Sequence, residues 1–394
     1  MQAVILAAGQ GTRLRPLTDS VPKPMLPVVE KPITAHVADA AVAAGVDRFV
    51  FVTGYMGEQV EEYFGQEYRG VPVSYARQEE QLGTAHAVRT ARDSLDDGPF
   101  SVLNGDNLYD PECVAELFSN GPALGVTHVA EPQNYGICSV EDDRVVEIIE
   151  KPRDPPSDLA NAGAYVFPSE AQSYLDVPMS ERGEHELTDV LSRVIDEHSV
   201  TPVELSRWMD VGRAWELLEA NGLYVENQDP VVEGTVHPDA ELRGNVAVER
   251  GATIDAGVVI EGPVRVRSGA EVGPNAYIRG ATVLEPNVHV GSSVEIKNSL
   301  IMRGTKIPHL SYVGDSVLGR SVNFGAGTTV ANLRHDGEPI DLTVKGERVS
   351  TGRRKFGVVA GDGAKTGINT CLGPGVTLSP GATTLPGETV TRDR

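Results

Sequence analysis

The residues best suited to chemistry form two groups far apart in the chain. In the first, Gly9-Gln-Gly11-Thr12-Arg13 follows one apolar run, Lys23 comes shortly after, and Asn104-Gly105-Asp106 closes another apolar run. Gly9 and Gly11 let the backbone approach an anion and turn its N–H groups toward it, while Arg13 and Lys23 add full positive charge, so a polyphosphate suits this loop. Asp106, in a glycine-flanked turn, is a hard oxygen donor fit for Mg²⁺. The same residues also have plainer uses, since a glycine pair after a strand makes a tight turn and an Asp at a strand end caps helices. In the second group Arg279 and Lys297 stand eighteen residues apart, followed by His309, Tyr312 and Asn323. A histidine titrating near neutrality can take the proton of an attacking amine, and the Asn323 amide can donate to developing oxyanion charge, as acyl transfer requires. The alternative for His309 is a hydrogen-bonded histidine without chemistry.

Positioning the second group falls to a repeat. From Val236 to Met302 an aliphatic side chain occupies every sixth position: Val236, Leu242, Val248, Ile254, Ile260, Val266, Val272, Ile278, Leu284, Val290, Ile296 and Met302. With 40% hydrophobic residues, twelve hits in a row have a chance probability on the order of one in 10⁵. Turn formers keep the same step (Asp239, Asn245, Gly251, Gly257, Pro263, Gly269, Asn275), so short strands bend at fixed intervals around a stacked apolar column, as in a hexapeptide-repeat β-helix. A sandwich of ordinary strands would alternate with period two and hold no long-range phase. Three hexads make one coil, so Arg279 and Lys297 share a corner, and like charges stacked there repel unless an anion sits between them, which predicts a phosphate site. Residues 305–314 are expected to interrupt the phase as a loop carrying His309 and Tyr312.

Positioning the first group falls to an α/β segment. Apolar, β-rich runs at 3–7, 49–53, 71–75 and 100–103 alternate with helical stretches at 33–44, closed by Gly45, and at 84–95. That alternation predicts a mostly parallel sheet, whose ligands lie beyond the carboxyl ends of its strands, where Gly9 and Asp106 fall.

Composition bounds what these sites meet. The 394 residues carry 34 basic and 56 acidic side chains, a formal charge of −22. Nucleic acid is therefore an unexpected partner. Carboxylates spread over the whole chain fit a surface working in concentrated salt, where screening removes self-repulsion, which points to a salt-loving source; an ordinary acidic enzyme is the plainer alternative. Cys113, Cys138 and Cys371 show no paired spacing, and the histidines form no metal-binding cluster, which fits a reducing cytoplasm. No apolar stretch is long enough for a bilayer, so no membrane partner is expected.

Leu6-Ala-Ala-Gly-Gln-Gly-Thr-Arg-Leu-Arg-Pro-Leu-Thr18 with Pro22-Lys23-Pro24 closely resembles the signature of the sugar-1-phosphate nucleotidylyltransferases. The likeness continues through Gln78, Gln81-Leu-Gly-Thr-Ala-His86, Leu103-Asn-Gly-Asp106, Tyr135-Gly136, Glu150-Lys151-Pro152, Asn161-Ala-Gly163 and Trp208-Met-Asp-Val-Gly212. It implies a Rossmann-like domain over residues 1–225 in which Arg13 and Lys23 hold nucleotide phosphates and act in catalysis. It places Ala8, Gly9, Gly11, Gln78, Gly83 and Thr84 at the nucleotide, with Gln78 and Gly83 reading the base. Asp106 and Asp210 would bind Mg²⁺, and Tyr135, Gly136, Glu150, Lys151 and Asn161 would line the sugar-phosphate pocket.

Val294-Glu-Ile-Lys-Asn298, His309-Leu-Ser-Tyr-Val-Gly-Asp315, Val322-Asn-Phe-Gly-Ala-Gly327 and Ala331-Asn332 resemble the acetyltransferase domain of the bifunctional N-acetylglucosamine-1-phosphate uridylyltransferases. That implies a left-handed parallel β-helix over residues 226–394, with Arg279 and Lys297 on the sugar phosphate and His309 as base. Tyr312, Asn323 and Asn332 would orient sugar and acyl groups, with Asn332 at acetyl-CoA, and adjacent subunits of a homotrimer would complete each site. Two departures stand out: Asp210 sits in a thymidylyltransferase-like and archaeal pattern, leaving UTP against dTTP open, and residues 333–356 are longer than in bacterial relatives. This segment offers Lys345, Arg353, Arg354 and Lys355 for the CoA phosphates, or as an ordinary basic loop. The resemblance implies a bifunctional enzyme making UDP-N-acetylglucosamine from glucosamine-1-phosphate, acetyl-CoA and UTP. The alternatives are a single-activity glucose-1-phosphate thymidylyl- or uridylyltransferase with a structural or regulatory β-helix, and a non-enzymatic scaffold subunit.

Overall fold

The computed structural model describes all 394 residues and divides into two compact units, Met1–Gln10, Pro22–Leu26 and Pro32–Asp210 in one, Gly11–Val21, Pro27–Lys31 and Val211–Arg394 in the other.

The first unit is built on a twisted sheet whose centre runs in the order Phe100–Asn104, Gln2–Ala7, Arg48–Thr53, Val71–Arg77, all parallel. Leu159–Phe167 joins antiparallel at one flank. Alternation along Gln2–Ala7 explains the layering: Ala3, Ile5 and Ala7 pack into one apolar cluster, while Val4 and Leu6 pack into another on the opposite face. Helices Ile33–Ala43 and Pro111–Ser119 cover the first face; Thr84–Thr90 and Leu187–Glu197 cover the second. The helix expected over 84–95 is broken at Ala91 into Thr84–Thr90 and a single 3₁₀ turn, Arg92–Ser94.

The second unit is a parallel β-helix of three sheets, left-handed in class, built from strands of two to four residues. Leu242 stacks on Ile260, then Ile278, then Ile296, each eighteen residues on. Eleven of the twelve ladder positions point into this column. The second inward position of each hexad holds small or β-branched side chains, among them Ala252, Val258, Val264, Ala270 and Ala276, and lets the faces close tightly. Met302 is the exception. Leu284 stacks on Ile301 and not on Met302, because the coil shortens to seventeen residues there; Val290 then stacks on Ile307 and Ile296 on Val313. The expected loop at 305–314 is therefore regular strand, Lys306–His309 and Tyr312–Gly314, and the true insertion comes later. It lies between Val330 and its next column neighbour Leu372, and carries the hairpin Asp341–Val344 and Glu347–Ser350. A one-residue shortening preserves the inward aliphatics, so a period-six count loses phase while the fold does not.

Candidate active sites

In the first unit Lys23 begins a 3₁₀ turn, Lys23–Met25, set by the prolines on either side, and its side chain is buried. Its ammonium lies 2.5 Å from Asp106 Oδ2 and 3.4 Å from Asp210 Oδ1. Two strands bring those carboxylates together: Trp208–Asp210 pairs antiparallel with Asn107–Tyr109, with Asp210 opposite Asn107. The Asp106 turn is itself held by a backbone bond from Gly105 N to Leu6 O, and a Cβ at Gly105 would meet that oxygen at 2.6 Å. Gly105 is required by this close approach. Both carboxylates remain partly exposed, so hard oxygen donors converge on one cation at the mouth of the sheet.

Gln78 is buried, donating from Nε2 to Gly83 O at 3.1 Å and meeting His86 Nδ1 at 3.0 Å. Burial first, then the Arg89 charge, pulls His86 below its ordinary value, which favours the neutral ring beside this amide. Gly83 has φ +108, and a Cβ there would meet His185 O at 2.5 Å. Gln81 Nε2 donates to Ala8 O at 2.8 Å. Thr84 uses its hydroxyl to accept from Leu187 N, the first residue of the helix Leu187–Glu197, a structural task beside the expected nucleotide contact.

Gly136 faces Glu150 in an antiparallel pair, and Lys151 N donates to Tyr135 O, so these four residues form one wall. Glu150 accepts from Arg182 at 2.9 Å and lies 3.5 Å from Lys151 Nζ. Asn161 Nδ2 donates to Tyr165 Oη at 2.6 Å, while its Oδ1 accepts from Gly163 N. Residues outside the sequence expectation join here. Arg182 also pairs with Glu186, whose carboxyl is raised by burial and then by Glu150, and the buried Thr188 hydroxyl has no hydrogen-bond partner. Their segment carries no run or spacing that marks it in the sequence.

Gly11 and Arg13 belong to the second unit. Gly11 takes φ +64 and its carbonyl accepts from Leu14 N and Thr18 Oγ1. The Arg13 guanidinium lies on Gly212, where a Cβ would meet Nη2 at 3.2 Å, and stays exposed.

On the β-helix Arg279 and Lys297 are register partners on adjacent strands, as their spacing implies. Each of the two cations also has a carboxylate partner of its own. Arg279 donates twice to Glu295 Oε1, at 2.8 and 3.0 Å, and Lys297 donates to Asp315 Oδ2 at 3.2 Å. Tyr312 and Asn332 meet through Asn332 Nδ2, which lies 3.2 Å from Tyr312 Oη. His309 ends the strand Lys306–His309; its carbonyl accepts from Gly327 N and Ser311 Oγ, which fixes the backbone while the imidazole stands exposed. Asn323 bridges Lys306 on that same face. The expected CoA residues separate: Arg353, Arg354 and Lys355 line a cavity of about 510 Å³ with Asp315 and Glu219. Lys345, at the hairpin tip, lines another of about 650 Å³ with Thr12, Arg15 and Ser379.

Known proteins resemble both halves of the chain. Residues 2–227 fit the family described as nucleotidyl transferase, and residues 260–360 fit the GMPPB C-terminal domain. The bifunctional protein GlmU of Methanococcus vannielii is 42% identical over 95% of this chain and 91% of its own length. The bifunctional sugar-1-phosphate nucleotidylyltransferase/acetyltransferase of Sulfurisphaera tokodaii is 38% identical over 100% of this chain and 98% of its own. A UDP-glucose pyrophosphorylase solved with UDP-glucose superposes with a TM-score of 0.53 at 25% identity, covering 58% of this chain and 99% of its own. The chain therefore belongs to the nucleotidyl transferase family, in the two-domain form of the archaeal bifunctional sugar-1-phosphate nucleotidylyltransferase/acetyltransferases.

Proposed function

We propose that the chain acetylates glucosamine-1-phosphate with acetyl-CoA and then couples N-acetylglucosamine-1-phosphate to UTP, releasing pyrophosphate and UDP-N-acetylglucosamine. We assign nucleotidylyl transfer to residues 1–225 and acetyl transfer to residues 226–394. The observation that favours two activities over one is the linked set Lys297, Asp315, Asn332 and Tyr312 on the β-helix, with exposed His309 preceding Tyr312 by three residues. Stacked amides alone would serve a structural solenoid; an ammonium, a carboxylate and a phenol joined to them at one corner are what acetyl transfer would use.

In nucleotidylyl transfer a sugar-phosphate oxygen attacks the α-phosphorus in line as pyrophosphate leaves, so no side-chain nucleophile is needed, and positioning with charge neutralisation carries the rate. Lys23 and Arg13 are assigned to the triphosphate; Ala8, Gly9, Gly11, Gln78, Gly83 and Thr84 to the nucleotide. Tyr135, Gly136, Glu150, Lys151 and Asn161 are assigned to the sugar phosphate. Asp106 and Asp210 suit Mg²⁺, being two oxygen donors that already converge on one cation, Lys23; the ion would supply charge neutralisation at the phosphates. In acetyl transfer Arg279 and Lys297 hold the sugar phosphate, His309 takes the amine proton and Asn323 donates to the oxyanion. Asn332, Lys345, Arg353, Arg354 and Lys355 are assigned to acetyl-CoA. The separation of Lys345 from the other three cations divides that assignment into two groups.

No helix of the chain is long and apolar enough to cross a membrane, and we place the enzyme in the cytoplasm as a homotrimer; a monomer that retained acetyl transfer would contradict the trimer. We read the −22 charge as adaptation to salt, against which a melting temperature indifferent to molar KCl would count. The assay that tests the whole reading supplies Mg²⁺, glucosamine-1-phosphate, acetyl-CoA and equal UTP and dTTP in KCl, with products identified by mass spectrometry. UDP-N-acetylglucosamine with free CoA is the expected result. A nucleotide-sugar without acetyl transfer would leave the β-helix structural.

A further inference from the structure

One corner of the β-helix carries a column of Asn298, Asp315 and Asn332, each seventeen residues from the next. Asn298 Nδ2 donates to Asp315 Oδ1 at 2.7 Å from one side, and Asn332 Nδ2 donates to Oδ2 at 2.5 Å from the other. Stacked amides at solenoid corners form self-complementary ladders, each offering a donor to one neighbour and an acceptor to the other. Asp315 is the odd member, a carboxylate that only accepts, and it is 96% removed from solvent at 4% exposure. Corner geometry does not demand it: φ is +51 at Asp315 and +45 at Asn298, a region that asparagine adopts as readily as aspartate. Burying a charge where a neutral amide would fit is unfavourable unless the charge has work to do.

Its remaining partner is Lys297, whose Nζ lies 3.2 Å from Asp315 Oδ2. The same oxygen thus fixes the Lys297 ammonium and the Asn332 amide, and Asn332 in turn reaches Tyr312 Oη. Gly314, immediately before, leaves the space this requires, since a Cβ there would lie 2.5 Å from Tyr312 Oη and 2.6 Å from Asn332 Nδ2. With its third face Asp315 borders the cavity of about 510 Å³ that Arg353, Arg354 and Lys355 also line.

We propose that Asp315 is the positioning residue of the acetyl-transfer site, holding Lys297 and Asn332 at one oxygen so that sugar phosphate and acetyl donor meet at a fixed separation. This rests on the acetyl-transfer reading of the β-helix. Without the carboxylate, Lys297 is left to neighbouring Glu295 or to solvent, and the Asn332 amide is free to flip.

The test is Asp315→Asn, which completes a neutral amide ladder and so spares the fold, measured alone and in a Lys297→Met background. The single variant is expected to raise the KM for glucosamine-1-phosphate about ten- to a hundredfold, the loss of a charged hydrogen bond, with a smaller change in kcat. Uridylyl transfer to N-acetylglucosamine-1-phosphate and the unfolding temperature should stay near those of the unmodified chain. In the Lys297→Met background Asp315→Asn should cost less than about threefold more, because the two act as a unit. An unchanged KM in Asp315→Asn, or a loss that multiplies independently of Lys297→Met, would overturn the proposal. Absence of CoA release by the unmodified chain would instead remove the acetyl-transfer reading itself, and the two failures are read from different proteins.

Discussion

The two candidate sites solve the same problem with opposite charges. In the α/β unit one buried ammonium, Lys23, gathers two carboxylates from separate strands. On the β-helix one buried carboxylate, Asp315, gathers an ammonium and two amides from successive coils. The scaffolds dictate the difference. Strand ends of an open sheet diverge into loops, so convergence there needs tight turns and close backbone approaches such as Gly105 on Leu6. In a solenoid the register delivers convergence without loops, because residues one coil apart stack in the same place along a corner. A charge set in a register column meets its own neighbours above and below, and must be balanced there.

The largest effect that would break this comparison is a failure of independence. Asp106→Ala should lower uridylyl transfer about 10³-fold by removing an oxygen ligand of the Mg²⁺ that would neutralise the phosphates, while acetyl transfer is untouched; parallel loss of both rates in coupled assays would show one site depending on the other. Next, His309→Gln should reduce acetyl transfer about 10²-fold, the ordinary worth of a general base, leaving uridylyl transfer alone. Acetyl transfer at the original rate in that variant would make His309 a strand-end residue only. Gly314→Ala sharpens the register argument: its methyl meets Tyr312 and Asn332, and separating that pair should cost about tenfold in acetyl transfer, with little change in far-UV circular dichroism. The smallest effect concerns Glu186, whose carboxyl is raised from the ordinary 4.5 by burial and then by Glu150. A raised acid favours folding in its neutral form, so its contribution is full below about 4.5 and is lost as pH climbs through the higher folded value. Glu186→Gln should therefore raise Tm slightly at pH 7 to 8 and match the original protein in acid, as a pH series of thermal melts would show.

Much of both scaffolds is legible in the chain. The period-six aliphatics place the β-helix and put Arg279 beside Lys297, because inward packing demands an apolar residue at every hexad whatever else varies. Apolar runs place the four parallel strands, and the end of Phe100–Asn104 places Asp106. The shortened coil was not legible: Met302 is as apolar as Ile301, both are buried, and composition cannot tell which one points inward. For the same reason residues 305–314 read as a loop, although Ile307 and Val313 keep the column intact. Arg182, Glu186 and Thr188 carry no mark in the residue order because nothing local links them to Glu150.

The two architectures, the family and the groups that can carry charge to phosphate are all legible in the residue order. Tertiary structure alone decided the pairings: Lys23 between Asp106 and Asp210, Arg279 on Glu295, and Lys297 on Asp315. Periodicity is a local consequence of burying one face and survives in the residue order. Pairing depends on distances between side chains remote in the chain, which the sheet register and a one-residue change in coil length set only once the backbone has closed.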